Sequence, residues 1–191
     1  MKRFCLIGPV DKRFIVYPLL KVLMHLGKTL VVTDDGVYRR FDEGYGKRFS
    51  VGHSDFIVEP VIDSNVLEEV KGIASGYETV LYITTNELPE SCDKIVYCRG
   101  VDKGLITPDV LEVLENKEYV QVYITLAKLK DSGVLKIAPG KGLLEYVMAC
   151  EDRKMFLPTR DTYYVTMIST LFEDKLGVPK STIKGLLQRE D

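Results

Sequence analysis

The sequence predicts an α/β fold: a three-layer sandwich on a mostly parallel, twisted sheet, in one domain over residues 1–191 with a short helical extension from about 161 to 191. Three observations predict it. Short, continuously apolar runs such as FCLI (4–7) and TVLYIT (79–84) read as strands buried on both faces. Between such runs lie stretches of helical periodicity, each about 10 to 14 residues long, the alternation that builds a parallel sheet. The chain is 46% hydrophobic and 28% charged over 191 residues, which suffices for one well-buried core and argues against disorder.

Phe4–Ile7 is the first strand, closed by Gly8-Pro9. Ile15, Leu19, Val22, Leu23 and Leu26 recur at helical spacing, and Gly27 stands as the residue that stops this helix. Pro18 is acceptable there only near the helix start or at a kink, because proline removes a backbone donor and clashes one turn back. Thr29–Thr33 is the second strand, paired with the first through a right-handed crossover and followed by Asp34-Asp35-Gly36.

The polar segment 37–53 interleaves Arg39, Arg40, Lys47 and Arg48 with Tyr38, Phe41, Tyr45 and Phe49, and reads as a surface loop or hairpin. Phe56–Val58 is a third strand, and Asp63 or Ser64 caps a helix to about Ile73. Thr79–Thr84 and Lys94–Cys98 are strands, and Thr107-Pro108, with Asp109 in the first turn, opens a helix to about Asn116. Val120–Leu126 and Gly133–Ala138 are extended, and the turn Pro139-Gly140-Lys141-Gly142 leads into a helix over Leu143–Glu151. Phe156-Leu157 reads as an edge strand or bridge. Asp161 caps a helix over Tyr163–Leu176, ended by Gly177 and Pro179, and Ser181–Gln188 is the terminal helix.

A net charge of −2 and a pI near 5.8 leave no basic footprint, so direct nucleic-acid binding is not expected. Cys5, Cys92, Cys98 and Cys150 are scattered without a CxxC pair, and with two histidines in the chain neither a zinc site nor a disulfide framework is signalled. Cys5 and Cys98 lie in apolar runs and read as buried, inert thiols. No stretch approaches the roughly 20 apolar residues of a membrane span, and the N-terminal apolar run is too short for a signal peptide. The expected setting is reducing and cytoplasmic.

Together these features resemble the ParA/MinD family of deviant Walker ATPases. In that family a lysine of a glycine-rich loop is followed by a helix, a glycine, a buried strand and an activating aspartate. Here Gly27 stands 15 positions after Lys12, and the strand that follows delivers Asp34. GYETVLY (76–82) is similar to the approach to that family's Walker B strand, and CDKIVY (92–97) to the strand after it; the similarity of order covers roughly residues 2–150. The resemblance implies a P-loop NTPase (SIMIBI-like) topology. A Rossmann-like or flavodoxin-like sheet is the alternative, because the glycine spacing partly reflects helix length.

The loop GPVDKRF departs from what phosphate chemistry needs. Backbone N–H groups must come close to phosphate oxygens, which small residues permit. Only Gly8 keeps that role: Pro9 has no donor, Val10 and Asp11 replace glycines, Arg13 replaces the hydroxyl that ligates Mg²⁺, Ile7 replaces the deviant lysine and Ile83 replaces the Walker B aspartate. The expectation is a degenerate nucleotide site in which Gly8, Lys12, Arg13 and Asp34 would bind a nucleotide only if the site were retained. No catalytic residue, metal ligand or required cofactor is expected, with ATP the one candidate.

The resemblance implies a non-catalytic scaffold or adaptor in a larger cytoplasmic assembly, in the setting of secretion, pilus or conjugation machinery or of DNA segregation. Its partners would be proteins, with a homodimer and peripheral membrane contact compatible with the sequence. The interaction surfaces would be the loop 37–49 and the last helices. The alternative is a nucleotide-binding ATPase or switch with an unusual loop, in which Lys12 and Arg13 clamp phosphates and Asp34 polarises a water or metal. His25 reads as a packed or surface residue, and His53 lacks a nucleophile elbow beside it. Gly140-Lys141-Gly142 reads as a tight turn.

Overall fold

The computed structural model describes residues 1–44, 46–101, 108–129 and 135–190. The strands are β1 (Lys2–Ile7), β2 (Thr29–Thr33), β3 (Arg48–Val51), β4 (Ser54–Val58), β5 (Thr79–Thr84), β6 (Lys94–Arg99), β7 (Val120–Ile124) and β8 (Leu135–Ile137). The α-helices are α1 (Arg13–Leu23), α2 (Ser64–Ile73), α3 (Pro108–Leu114), α4 (Lys141–Arg153), α5 (Thr162–Leu176) and α6 (Lys180–Gln188). One sheet has the order β3-β4-β2-β5-β1-β6-β7-β8. It is parallel except for the β3–β4 hairpin.

This is the expected three-layer α/β architecture with one change of neighbours. β1 and β2 do not pair; β5 lies between them, with Phe4 opposite Leu81 on one side and Val31 opposite the same Leu81 on the other. Buried strands carry no pattern that says which of them are adjacent, so periodicity cannot supply the order.

Alternation along the strands splits the core in two. Phe4, Leu6, Val31, Leu81, Ile83, Val96 and Val122 face a layer formed by α1, α4, α5 and α6. Cys5, Ile7, Leu30, Val32, Tyr82 and Ile95 face the other way, toward α2 and α3. Pro18 sits inside α1, which begins at Arg13, so it occupies the second turn and is buried there.

Segment 37–53 is less superficial than its polarity suggests. Gly36–Phe41 is a 3-10 helix that buries Tyr38 and Phe41, and these pack with Tyr17, Phe56 and Phe156 at ring-centroid distances of 5.0–6.4 Å. Phe156 and Leu157 form no strand; Phe156 is a core residue of that aromatic group. Tyr45, Thr107 and Gly133, to which the sequence assigned roles, lie outside the described residues, as does side-chain detail for Pro108 and Asp109. The helices capped by Asp63 and Asp161 start where the sequence placed them, each carboxylate accepting a backbone N–H of the first turn.

Cys5 is not a free thiol. It is disulfide-bonded to Cys92, 87 residues away. The apolar run around Cys5 correctly marked burial, but pairing depended on which strand lies beside β1, and that is β6, starting two residues after Cys92. Cys98 and Cys150 are free and buried.

Candidate functional site

The carboxyl ends of β1, β2 and β5 converge on the loop 8–12, where α1 begins. A cleft of about 260 Å³ opens there, lined by Gly8, Val10, Asp11, Lys12, Arg13 and Asp35, with Thr85 on its rim. Gly8 is required by its geometry: φ is +130°, and a Cβ at this position would stand 1.9 Å from the carbonyl oxygen of Cys98. The loop is thereby held against the end of β6, with Gly8 N–H donating to Thr84 O on β5 at 3.1 Å.

The α1 N-terminus carries the partial positive charge of unpaired N–H groups. Here the chain supplies the anion itself. Asp11 Oδ1 accepts from Arg13 N–H at 3.0 Å, and the same carboxylate receives Arg13 Nε at 3.0 and 3.1 Å and Nη2 at 2.6 Å. Burial alone would raise the Asp11 pKa, but the hydrogen bonds and charge of Arg13 outweigh it and hold the carboxyl below its ordinary range.

Arg13 also donates through Nη1 to Glu151 Oε1 at 2.7 Å. Glu151, in the last turn of α4, accepts from Tyr17 Oη at 2.8 Å and from Arg40 Nη1 at 3.0 Å. Burial opposes ionisation of Glu151, yet its bonds from Arg13, Tyr17 and Arg40 depress its pKa overall. The Tyr17 phenol is pushed up by burial and by the facing Glu151 charge. One buried carboxylate thus ties the start of α1, the end of α4 and the 3-10 helix together.

Lys12 is 3% exposed and points back into its own loop, with Nζ donating to Gly8 O at 2.6 Å and Val10 O at 3.2 Å. Burial lowers its pKa, opposed by the fields of Cys98, Asp34, Asp35 and Asp11. Asp34 Oδ2 accepts from Thr85 N–H at 2.7 Å, whereas Asp34 Oδ1 is buried without a hydrogen-bond partner among the described residues. Ile83, in the Walker B place, is fully buried in the core. Among the described residues, no group of three His, Cys, Asp or Glu side chains comes together to hold a metal ion.

Of the residues grouped from the sequence, Gly8, Lys12 and Arg13 line the cleft, and Asp34 accepts from Thr85 at its rim. The sequence reading missed Glu151 and the hydrogen bond by which Asp11, one residue ahead of the N-cap Lys12, accepts from the first helical N–H, that of Arg13. Nothing local marks Glu151, which is 138 residues from Arg13. The basic residues of the 37–49 segment are engaged internally: Arg39 Nη2 with Val58 O, Arg40 with Glu151, Lys47 with Glu59 and Arg48 with Glu69.

No protein-family model and no curated protein sequence matches the chain significantly. Among solved structures it is similar to the MinD cell division protein of Aquifex aeolicus, at 13% identity and a TM-score of 0.53, over 100% of this chain and 99% of that one. A second similar structure is apo McdA of Cyanthece, at 11% identity and a TM-score of 0.46, over 98% of this chain and 100% of that one. The fold is that of MinD, a mostly parallel α/β sheet with its loop-to-helix junction at the end of the first strand.

Proposed function

We propose that this chain is a non-catalytic scaffold or adaptor of ParA/MinD-like fold, acting with protein partners in a larger cytoplasmic assembly, and that its nucleotide site has lost its chemistry. The observation that supports this best is the Asp11 carboxylate on the α1 N-terminus, held there by Arg13. A phosphate chain would meet a fixed negative charge at the place where its own charge should lie, and the Lys12 ammonium that should receive it is bonded to loop carbonyls. Pro9 contributes no N–H, and the cleft of about 260 Å³ falls below the ~300–1,000 Å³ of typical small-molecule sites. These residues do not fit a Mg²⁺-nucleotide as they stand.

MinD, a structural neighbour, is a cell division protein. The corresponding proposal for this chain is a part in positioning cellular machinery or DNA, with the exposed faces of α4 to α6 as contact surfaces and a homodimer as one mode of assembly. No helix among the described residues is long and apolar enough to cross a membrane.

Thermal unfolding with and without ATP or GTP plus Mg²⁺ tests the reading. A ligand at 100 times its dissociation constant stabilises by about 2.7 kcal/mol, and the expected result is no shift with either nucleotide and no phosphate release. Mg²⁺-dependent turnover abolished by Lys12→Ala would overturn it. The second reading, a nucleotide-binding switch, is favoured by one observation: Asp34 Oδ1 beside Lys12, without a hydrogen-bond partner among the described residues. A nucleotide-dependent shift without turnover would support it.

A further inference from the structure

The connection from β5 to β6 is unusual for a parallel crossover. The two strands flank β1, and residues 85–93 must return from the carboxyl end of one to the amino end of the other. The six-residue strand to be retraced is about 20 Å long, whereas nine residues coiled as a helix would reach about 14 Å. The segment is accordingly an extended strap, with neither helix nor strand in it, laid over β1 on the α2 side. Beneath it lies a row of side chains from three neighbouring strands, Tyr82, Cys5 and Ile95, in direct register.

The strap is pinned at both ends. At one end Thr85 N–H donates to Asp34 Oδ2 at 2.7 Å, so the strap starts at the rim of the candidate site. At the other end Asp93 exchanges bonds with Arg3, Oδ2 accepting from Arg3 N–H at 2.7 Å and its own N–H donating to Arg3 O at 2.8 Å. Cys92 is joined to Cys5 beside this pair. Clefts of about 270 and 350 Å³ flank the strap, the first between it and α2, lined by Leu67, Val70 and Pro89, and the second beside Cys92 and Tyr119.

The disulfide is not needed to bring these segments together. β1 and β6 are already paired, with Phe4 opposite Lys94 and Cys5 opposite Ile95, so Cys92 lies near Cys5 without a covalent bond. What the bond adds is a hold on the strap. The two residues also differ in burial: Cys5 is fully buried, whereas Cys92 is half-buried and lines a cleft.

We propose that Cys5–Cys92 is a reversible redox switch that fastens the strap 85–93 and, through Thr85 and Asp34, couples the redox state to the candidate site. The reductant is a dithiol. One of its thiolates attacks the sulfur of Cys92, the less buried of the two residues, the S–S bond breaks, and Cys5 leaves as a thiolate that takes up a proton. The second reductant thiol then displaces Cys92 from the mixed disulfide, so two electrons and two protons reach the protein and the reductant becomes a disulfide. The freed strap lifts from Tyr82, Cys5 and Ile95 and uncovers an apolar trough, while the ladders of β1, β5 and β6 remain.

Hydrogen–deuterium exchange of the full chain, read by mass spectrometry, tests this in the oxidised state, after dithiothreitol, and in Cys92→Ser. Exchange across 85–93, including the Thr85 amide, should quicken at least tenfold on reduction and equally in Cys92→Ser. Protection of β1, β5 and β6 should be retained, and oxidised glutathione should restore the slow rates. Identical strap exchange in oxidised and reduced protein overturns the proposal. So does reduction that proceeds only when the whole chain unfolds, the behaviour of a structural staple, or two thiols that glutathione cannot reconnect. Because no nucleotide enters the measurement, its failure is separate from failure of the functional reading above.

Discussion

The two faces of the sheet are built by different means. Among the described residues, 36 buried side chains form the cluster on the α1 side and 14 that on the α2 side. Four helices cover the first face. Among the described residues only α2 and α3 cover the second, and of α2 only Val70 is buried. Where the first face uses packed aromatic rings, such as Phe4 against Phe172 at 5.6 Å and Tyr17 against Phe41 at 5.1 Å, the second uses an extended strap and a disulfide. The difference teaches that burial of a strand on both sides does not require equal layers. A covalent bond and a backbone strap can cover a sheet where no helix fits, and such cover can be undone without dismantling the core.

The sharpest way to break this comparison is to cut equal cavities in both faces. Ile168→Ala, fully buried on α5, should cost about 4 kcal/mol, and Ile62→Ala, under the α2 side, about 2 kcal/mol, both within the span seen for such truncations. The thinner layer has more freedom to collapse into the void. Urea midpoints at constant m-value measure both; equal losses would show that the α2 side is as rigidly packed as the α1 side.

That asymmetry also marks what could be read from the sequence. Each buried strand was legible because a continuous apolar run such as TVLYIT has few other uses, and helix ends were legible through Gly177 and the capping aspartates, whereas α1 stops at Leu23 with Met24 as its C-cap, short of the expected end at Leu26 before Gly27. The insertion of β5 between β1 and β2 was not legible, because apolar runs do not encode neighbours. The disulfide followed from that hidden order. Tyr38 and Phe41 looked exposed among arginines, yet their spacing of three places them on one side of a 3-10 helix. At the candidate site the lost glycines were visible in the sequence, whereas the Arg13–Glu151 contact is a product of tertiary packing alone.

Glu151 is where the two ends of the α1-side layer meet, and its removal should cost about 3 kcal/mol, the scale for breaking a buried ion pair and stranding its partners. Glu151→Ala leaves the Tyr17 hydroxyl and one arm of Arg13 without an acceptor. A pH signature accompanies the loss. The folded pKa of Glu151 is depressed from its ordinary 4.5, so its stabilisation is present in full above that value and disappears as pH falls through the lower folded value. Wild-type stability should therefore fall more steeply than that of Glu151→Ala as pH drops below about 4.5. Parallel curves from chemical denaturation between neutral and strongly acidic pH would show that the carboxylate is not held by the folded state.

The smallest effect is also the most local. Asp161 caps α5 by accepting from Tyr163 N–H at 2.8 Å, at the start of the longest helix on the α1 side. Asp161→Ala should cost about 1 kcal/mol, the usual value of a lost N-cap, because the first-turn N–H is returned to water rather than buried. The matching change on the other face, Asp63→Ala, removes two such bonds, to Asn65 and Val66, from a helix with one buried residue. There the expected result is fraying of α2 with little change in the global midpoint, since few core contacts depend on its first turn. Hydrogen exchange at residues 64–67 distinguishes the outcomes: local opening without global loss sustains the contrast between the faces, and equal global losses would erase it.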